Sequence, residues 1–128
     1  MQTVSFETAK RLKGAGFSQP SEIDPANRWL IFYVEPSEEG GVPELYSADR
    51  IEDIRSFSDP CEIVAYAATA TDLIPPGWFL QNRGDDWICS NAFTYDGVKN
   101  ELKDFINDNP AEAAAMAWLH VNRNFSNV

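Results

Sequence analysis

The sequence is poor in the residues that build metal centres and disulfide frameworks. Its 128 residues include one histidine, His120, and two cysteines, Cys61 and Cys89, which are far apart in the chain. Two distant cysteines are not a disulfide framework, and no Cys/His cluster with zinc-ligand spacing accompanies them. We therefore expect two buried thiols in a reducing compartment, with no metal and no other cofactor.

Basic residues are also scarce. Lysine and arginine total 10 against 20 aspartates and glutamates, and the formal net charge is −10. Such a field repels phosphate, so we expect neither direct nucleic-acid binding nor attraction to an anionic membrane surface. The apolar runs are too short to span a membrane, and Met1–Ser5 lacks the basic and apolar regions of a signal peptide. These absences predict a cytoplasmic protein.

Apolar side chains, by contrast, are plentiful. Hydrophobic residues make up 44% of the chain, including four Trp, four Tyr and eight Phe. A chain of this length and composition can form a hydrophobic core without disulfides or metal. Because the sequence has no internal repeat and no linker-like segment, we predict a single domain spanning residues 1–128.

Capping signals predict a helix near each end of the chain. The first helix has Ser5 as its N-cap and Gly16 in the left-handed position after its last turn. The last helix has Asn109 as its N-cap, Pro110 at its first position and Glu112 as the reciprocal half of a capping box. Helical spacing predicts one buried face on the last helix, formed by Ala114, Ala117, Trp118, Val121 and Phe125.

Between these helices the pattern is mainly that of strands. The predicted strands are Trp29–Val34, Leu45–Tyr46, a more ambiguous segment Glu62–Tyr66, and a hairpin of Trp78–Leu80 and Trp87–Cys89. Short helices are predicted around Ile51–Phe57 and after a Thr69/Asp72 capping box. Val98, Leu102, Phe105 and Ile106 fit a helix, with an extended segment as the alternative. This order predicts an α+β fold, with a small antiparallel sheet packed against the N-terminal and C-terminal helices.

Three segments resemble small proteins encoded by phages and prophage-like elements. The segments are Ser5–Phe17 (SFETAKRLKGAGF), Tyr66–Ile74 (YAATATDLI) and Asn109–Leu119 (NPAEAAAMAWL). They are similar to the SFETAKxLKEAGF, YAPTxxDLL and NPAEALAxLWLWL segments of that group. Because the matching residues are of the kinds that form helix caps, turns and the core, the resemblance implies a shared fold. It implies no activity, because the group carries no catalytic residues to transfer.

No catalytic constellation stands out in the sequence. His120 has no acidic residue four positions before or after it, and a general base needs an orienting partner. Asp85 and Asp86 are adjacent, so their side chains are expected to diverge. We therefore predict a non-enzymatic protein, leaving open a small enzyme whose site is assembled from scattered residues.

The remaining hypothesis is a protein that acts through contacts with another protein. A large aromatic that reaches the surface and concentrated acidic residues are typical of such contacts. The candidate binding residues are Trp87, Glu35, Glu38, Glu39, Glu44, Asp49, Glu52 and Asp53. A more specific alternative is that the acids imitate a nucleic-acid backbone and bind a basic protein. The partner and the oligomeric state stay open.

Overall fold

The computed structural model describes residues 2–20, 30–36, 42–50, 61–93 and 102–123. In these ranges the helices are α1 (Phe6–Gly14), α2 (Ala70–Leu73) and α3 (Pro110–Val121), with a single 3₁₀ turn at Ala48–Arg50. The strands are β1 (Ile31–Pro36), β2 (Glu44–Ser47), β3 (Cys61–Tyr66), β4 (Phe79–Asn82), β5 (Trp87–Ser90) and β6 (Asp104–Asn107). The predicted α+β class is confirmed, and the strands form two antiparallel sheets of three strands each.

The ends of α1 are those that the sequence predicts. The hydroxyl of Ser5 accepts a hydrogen bond from the backbone N–H of Thr8, so Ser5 is the N-cap. Gly16 has a φ of 95°, in the left-handed region that favours glycine. The N–H of Phe17 then donates to the carbonyl of Leu12 at 2.9 Å, and the N–H of Gly16 donates to Lys13 at 3.2 Å. Together these bonds form a Schellman motif.

The first sheet has the order β2-β1-β3. Its β1–β3 register shifts between Tyr33 and Val34, which leaves Val64 as a bulge in β3. The ammonium group of Lys13, in the last turn of α1, donates to the carbonyl of Val64 at 2.7 Å. The bulge therefore has a hydrogen-bond partner on the neighbouring helix, and Phe6 and Lys13 both connect α1 to this sheet.

The second sheet has the order β4-β5-β6 and contains the predicted hairpin. The predicted helix at Leu102–Ile106 is wrong, because Asp104–Asn107 pairs antiparallel with β5 as strand β6. The extended alternative is the observed one. The adjacent apolar residues Phe105 and Ile106 point to opposite faces of this strand, as alternation requires.

Helix α3 packs against α1, α2, β5 and β6 and contributes alanines to two core clusters. One cluster, next to the first sheet, contains Ala111, Ala114 and Ala115; the other, next to the second sheet, contains Ala113 and Ala117. All five alanines are fully buried. Their short side chains allow both layers to pack closely against one helix that also has high intrinsic helix propensity.

Two predictions for α3 need correction. Trp118 is half-buried against Phe17, with ring centroids 5.3 Å apart, while Val121 is 44% exposed and is not a core residue. The helix buries alanines on two sides instead of a single large apolar face. Alanines give only a weak periodic signal in a sequence. The predicted buried face therefore follows the larger side chains of Trp118 and Val121, which are not the buried ones.

Glu112 caps a different helix from the one predicted. Asn109 is the N-cap of α3 and accepts from the N–H of Ala111, but its own N–H donates to the side chain of Asn107. The Glu112 carboxylate instead accepts from the N–H of Ser5 at 2.9 Å and from the hydroxyl of Thr8 at 2.7 Å. It thus completes a capping box for α1 across the helix–helix interface.

Helix α2 begins with the predicted capping box. The carboxylate of Asp72 accepts hydrogen bonds from the backbone N–H and the hydroxyl of Thr69, both at 3.0 Å. The helix ends at Leu73, before the two prolines, as predicted. The segments predicted at Ile51–Phe57, Trp29, Val98 and Phe125 lie outside the described residues.

Candidate functional site

The face of the second sheet turned away from α3 carries exposed apolar side chains. Leu80, Cys89 and Phe105 are paired across the three strands and pack in the core cluster that includes alanines of α3. Their neighbours along the strands point the opposite way because side chains alternate between the two faces. We call this surface the outer apolar face; its residues are the half-buried Phe79 and Ile88 and the exposed Phe93, Leu102 and Ile106.

Phe93 is the most prominent residue of the outer apolar face. Its side chain is 84% exposed, and its ring lies 4.7 Å from that of Phe79, centroid to centroid. The turn that carries it begins at Ser90, whose hydroxyl accepts a hydrogen bond from the N–H of Ala92 at 3.1 Å. A local hydrogen bond thus directs the chain after β5 so that Phe93 lies over the first residue of β4.

On the β6 side, the outer apolar face extends past the first residue of the strand, Asp104, to Leu102. Lys103 donates its N–H to the side-chain oxygen of Asn91 at 2.9 Å, which extends the β5–β6 pairing by one residue. Leu102 and Ile106 are 50% and 46% exposed and have the same parity along this strand. Asp104 lies between Leu102 and Ile106 on the same face of the strand, and it is exposed. It is paired in register with Ser90 of β5, and Ser90 is paired with Phe79 of β4.

One end of the face is bounded by the β4–β5 turn. Gly84 has a φ of 99°, and its N–H donates to the side-chain oxygen of Asn82 at 2.6 Å. The guanidinium of Arg83 donates to both carboxylate oxygens of Asp86, at 2.9 and 3.2 Å. These hydrogen bonds, with the negative charge of Asp86 and a smaller effect of the charge of Asp104, raise the pKa of Arg83 further above its ordinary value. The cation at this rim is therefore already paired, while Asp85 and Asp104 remain exposed acids.

The predicted binding residues are divided between the two sheets. Trp87 is half-buried in β5 and shares its strand face with Cys89, so it lies on the helix side of the second sheet. Glu35, Glu44 and Asp49 belong to the first sheet or the turn after it. Glu44 and Asp49 are exposed, with hydrogen bonds from Tyr46 and Ser47, and Glu35 is half-buried. Glu38, Glu39, Glu52 and Asp53 lie outside the described residues.

The sequence did not identify the outer apolar face. The prediction selected Trp87 because it follows two aspartates, but proximity to charge in the chain does not determine which sheet face a residue occupies. The available signal is the alternation in β5, where Ile88 and Ser90 share one face and Trp87 and Cys89 the other. It becomes informative only when the position of α3 shows which face is covered.

A cleft of about 320 Å³ opens at the end of the first sheet, next to α2. Its lining is mainly apolar, from Leu30, Ile31 and Ala67, with Tyr66 and Asp72 among the polar residues. The phenol of Tyr66 donates to Asp72 at 2.6 Å. Burial, followed by this hydrogen bond and the negative charge of Asp72, raises the pKa of Tyr66, which keeps the phenol protonated. The Asp72 oxygen involved also caps α2, so these groups hold the local structure.

Two further reactive side chains of the described residues, those of His120 and Cys89, lie at the edge of the core or inside it. His120 is half-buried, with its ring 5.6 Å from that of Phe105 and 6.3 Å from that of Trp78. Arg123 approaches both ring nitrogens of His120 at 3.3 Å. Cys89 is fully buried, and this burial raises the pKa of its thiol to about 11. At neutral pH the thiol is therefore protonated and a poor nucleophile.

The described residues contain neither a cluster of metal-ligating side chains nor a helix that could span a membrane. Across the described ranges, no three or more His, Cys, Asp and Glu side chains come together as a metal site. The helices among those residues are all too short or too polar to cross a membrane. Comparison with known proteins finds no match to a family model, to a curated protein or to a solved structure.

Proposed function

We propose that this chain is a protein-binding domain without enzymatic activity, of the kind that phages and prophages encode as accessory proteins. The observation that carries the proposal is the outer apolar face, and above all Phe93. An aromatic side chain that is 84% exposed and in tilted contact with a second ring has the chemistry of an interface anchor. Contiguous exposed apolar side chains are typical of surfaces that another protein covers.

The rest of the outer apolar face and the turn at its far end support the same function. Ile106 and Leu102 add apolar area on the β6 side, while Asp85 and Arg83 supply polar groups at the turn. An apolar centre with a polar rim is the usual anatomy of a protein–protein interface. The surface lies on a sheet whose other face is fixed to α3, so it needs little rearrangement to bind.

The alternative of a small enzyme receives less support from the cleft near α2. A general base must be deprotonated near neutral pH so that it can accept a proton, and the raised pKa of Tyr66 opposes this. Both Tyr66 and Thr69 already donate to Asp72. Tyr66, Thr69 and Asp72 are thus occupied in ordering the start of α2.

The proposal is tested by affinity capture from the native host, followed by mass spectrometry. Wild-type protein is compared with Phe93→Ser and with Val42→Ser, which removes a side chain that is 72% exposed just before β2, on the first sheet. We expect a captured protein that is lost with Phe93→Ser and retained with Val42→Ser. A capture profile that is identical for wild type and Phe93→Ser would contradict this use of the face.

A further inference from the structure

We propose that the outer apolar face binds a partner segment in which an arginine stands among apolar side chains. In this arrangement the guanidinium lies on the ring of Phe93 and pairs with the carboxylate of Asp104. The inference rests on the proposed function, because it names the chemistry of the partner that this surface would bind.

The aromatic half of the proposed contact is Phe93. Its 84% exposure leaves ring surface open, while the contact with Phe79 holds the ring over the sheet. Cations are attracted to the face of an aromatic ring, and arginine is the more frequent partner in proteins. Its planar guanidinium also stacks on a flat ring, which the compact ammonium of lysine does not do.

The acidic half is Asp104. Asp104, Ser90 and Phe79 form one row across the three strands and lie on the same face of the sheet. With neighbouring strands about 4.8 Å apart, the backbone positions of Phe79 and Asp104 are separated by roughly 10 Å. An arginine placed over Ser90 therefore reaches both the aromatic pair and the carboxylate. The carboxylate can accept two parallel hydrogen bonds from the guanidinium.

Charge complementarity favours such a partner over a second copy of the chain. Each chain has a formal net charge of −10, and a second copy would bring the exposed acids Asp85 and Asp104 to the same interface. The resulting repulsion opposes self-association through this face. The only described cation of the β4–β5 turn, Arg83, is bound to Asp86 and is attracted more weakly by Asp104, so the described charges of Arg83, Asp85, Asp86 and Asp104 still sum to a negative value. A basic partner would instead be attracted to the acidic rim.

The test presents the full-length protein to a library of random linear peptides. We expect the bound pool to be enriched in peptides that carry arginine flanked by apolar residues. The strongest binder is then resynthesised with citrulline in place of arginine, which removes the charge but keeps the shape. Its affinity is measured for wild type and for Phe93→Ser and Asp104→Asn, with Val42→Ser and Glu44→Gln as matched controls on the first sheet.

We expect citrulline and Phe93→Ser each to weaken binding by about tenfold or more, and Asp104→Asn to weaken it several-fold. The two controls should leave the affinity unchanged. Apolar peptides that need Phe93 but neither arginine nor Asp104 would overturn this inference and leave the proposed function standing. Absence of any peptide that depends on Phe93 would overturn this inference, and the capture comparison of wild type with Phe93→Ser would then decide the proposed function separately.

Sedimentation of the isolated protein over a wide concentration range tests whether a second copy of the chain binds the outer apolar face. We expect wild type and Phe93→Ser to sediment alike, as single chains. Self-association of wild type that Phe93→Ser abolishes would overturn the inference, because the face would then be covered by another copy.

Discussion

At the scale of single residues, the contact with the clearest energetic consequence is that of Glu112 with α1. Its carboxylate accepts from the Ser5 N–H and the Thr8 hydroxyl, at the positive end of the helix. We expect Glu112→Ala to lower the free energy of unfolding by about 1–2 kcal/mol, since a cap and a charge-assisted bond are lost together. Urea denaturation measures this change.

The matched control is Glu7→Ala, which removes an exposed carboxylate from the first turn of the same helix. It should cost only about 0.3–1 kcal/mol, because the charge near the helix end is lost but no bond is. A double-mutant cycle of Thr8→Val with Glu112→Ala, each of which removes one partner of the hydrogen bond, should reveal coupling. Strictly additive effects would show that the two side chains do not interact.

Cys89 gives a second prediction at this scale. Because the thiol is fully buried and its pKa is raised to about 11, we expect iodoacetamide not to modify it at pH 8 in the native protein. In denaturant it should react readily, and peptide mapping distinguishes it from Cys61. The pKa of Cys89 is higher in the folded protein than in the unfolded chain, where it is about 8.5, so its contribution to the stability of the folded state is fully present below that unfolded value. This stabilisation is lost as the pH rises through the folded pKa of about 11. Rapid native alkylation at pH 8 would show that Cys89 is accessible.

At the scale of elements, the alanines of α3 determine how closely the layers approach. Ala114→Leu adds volume to a fully buried position, and we expect overpacking to cost about 1–3 kcal/mol. Met116→Leu, at an exposed position of the same helix, should stay within about 0.5 kcal/mol of wild type. The midpoints of urea denaturation compare the two. Equal midpoints would mean that Ala114 has free space beside it.

The elements also show why the sequence predicted some parts of the fold and not others. The ends of α1 and the start of α3 depend on local caps at Ser5, Gly16 and Asn109, which a sequence displays directly. Strand β6 was ambiguous because Phe105 and Ile106 are both apolar but serve opposite faces. The bond from Ser5 to Glu112 and the exposure of Phe93 depend on tertiary packing, which no local pattern records.

At the scale of the whole molecule, the charge makes a prediction that remains to be tested. With a net charge of −10, we expect no measurable binding to duplex DNA or RNA at physiological salt. Electrophoretic mobility shift of labelled duplexes measures this. Sequence-independent DNA binding by wild type would contradict the electrostatic argument.

Binding to a basic partner through the acidic rim should weaken as salt rises, because exposed charges are screened over about 8 Å at physiological ionic strength. A basic partner could bind either at the acidic rim of the second sheet, through Asp104, or at the acids of the first sheet, through Glu44 and Asp49; all three side chains are exposed. Charge reversal of Glu44 and Asp49 distinguishes the two, because it should weaken only binding to the first sheet.

Helix α3 supplies alanines to both core clusters, so each sheet depends on this helix for part of its core. If one sheet opened, it would expose apolar side chains of α3 and so destabilise the helix on which the other sheet depends. The two sheets should therefore lose structure as one cooperative unit, despite the absence of described strand pairing between them. Native-state hydrogen exchange would reveal this coupling: Ala113→Leu, beside the second sheet, should speed exchange at slowly exchanging amides of Phe32 and Ala65 in the first. Faster exchange confined to the second sheet would mean that the halves unfold independently, each as its own foldon.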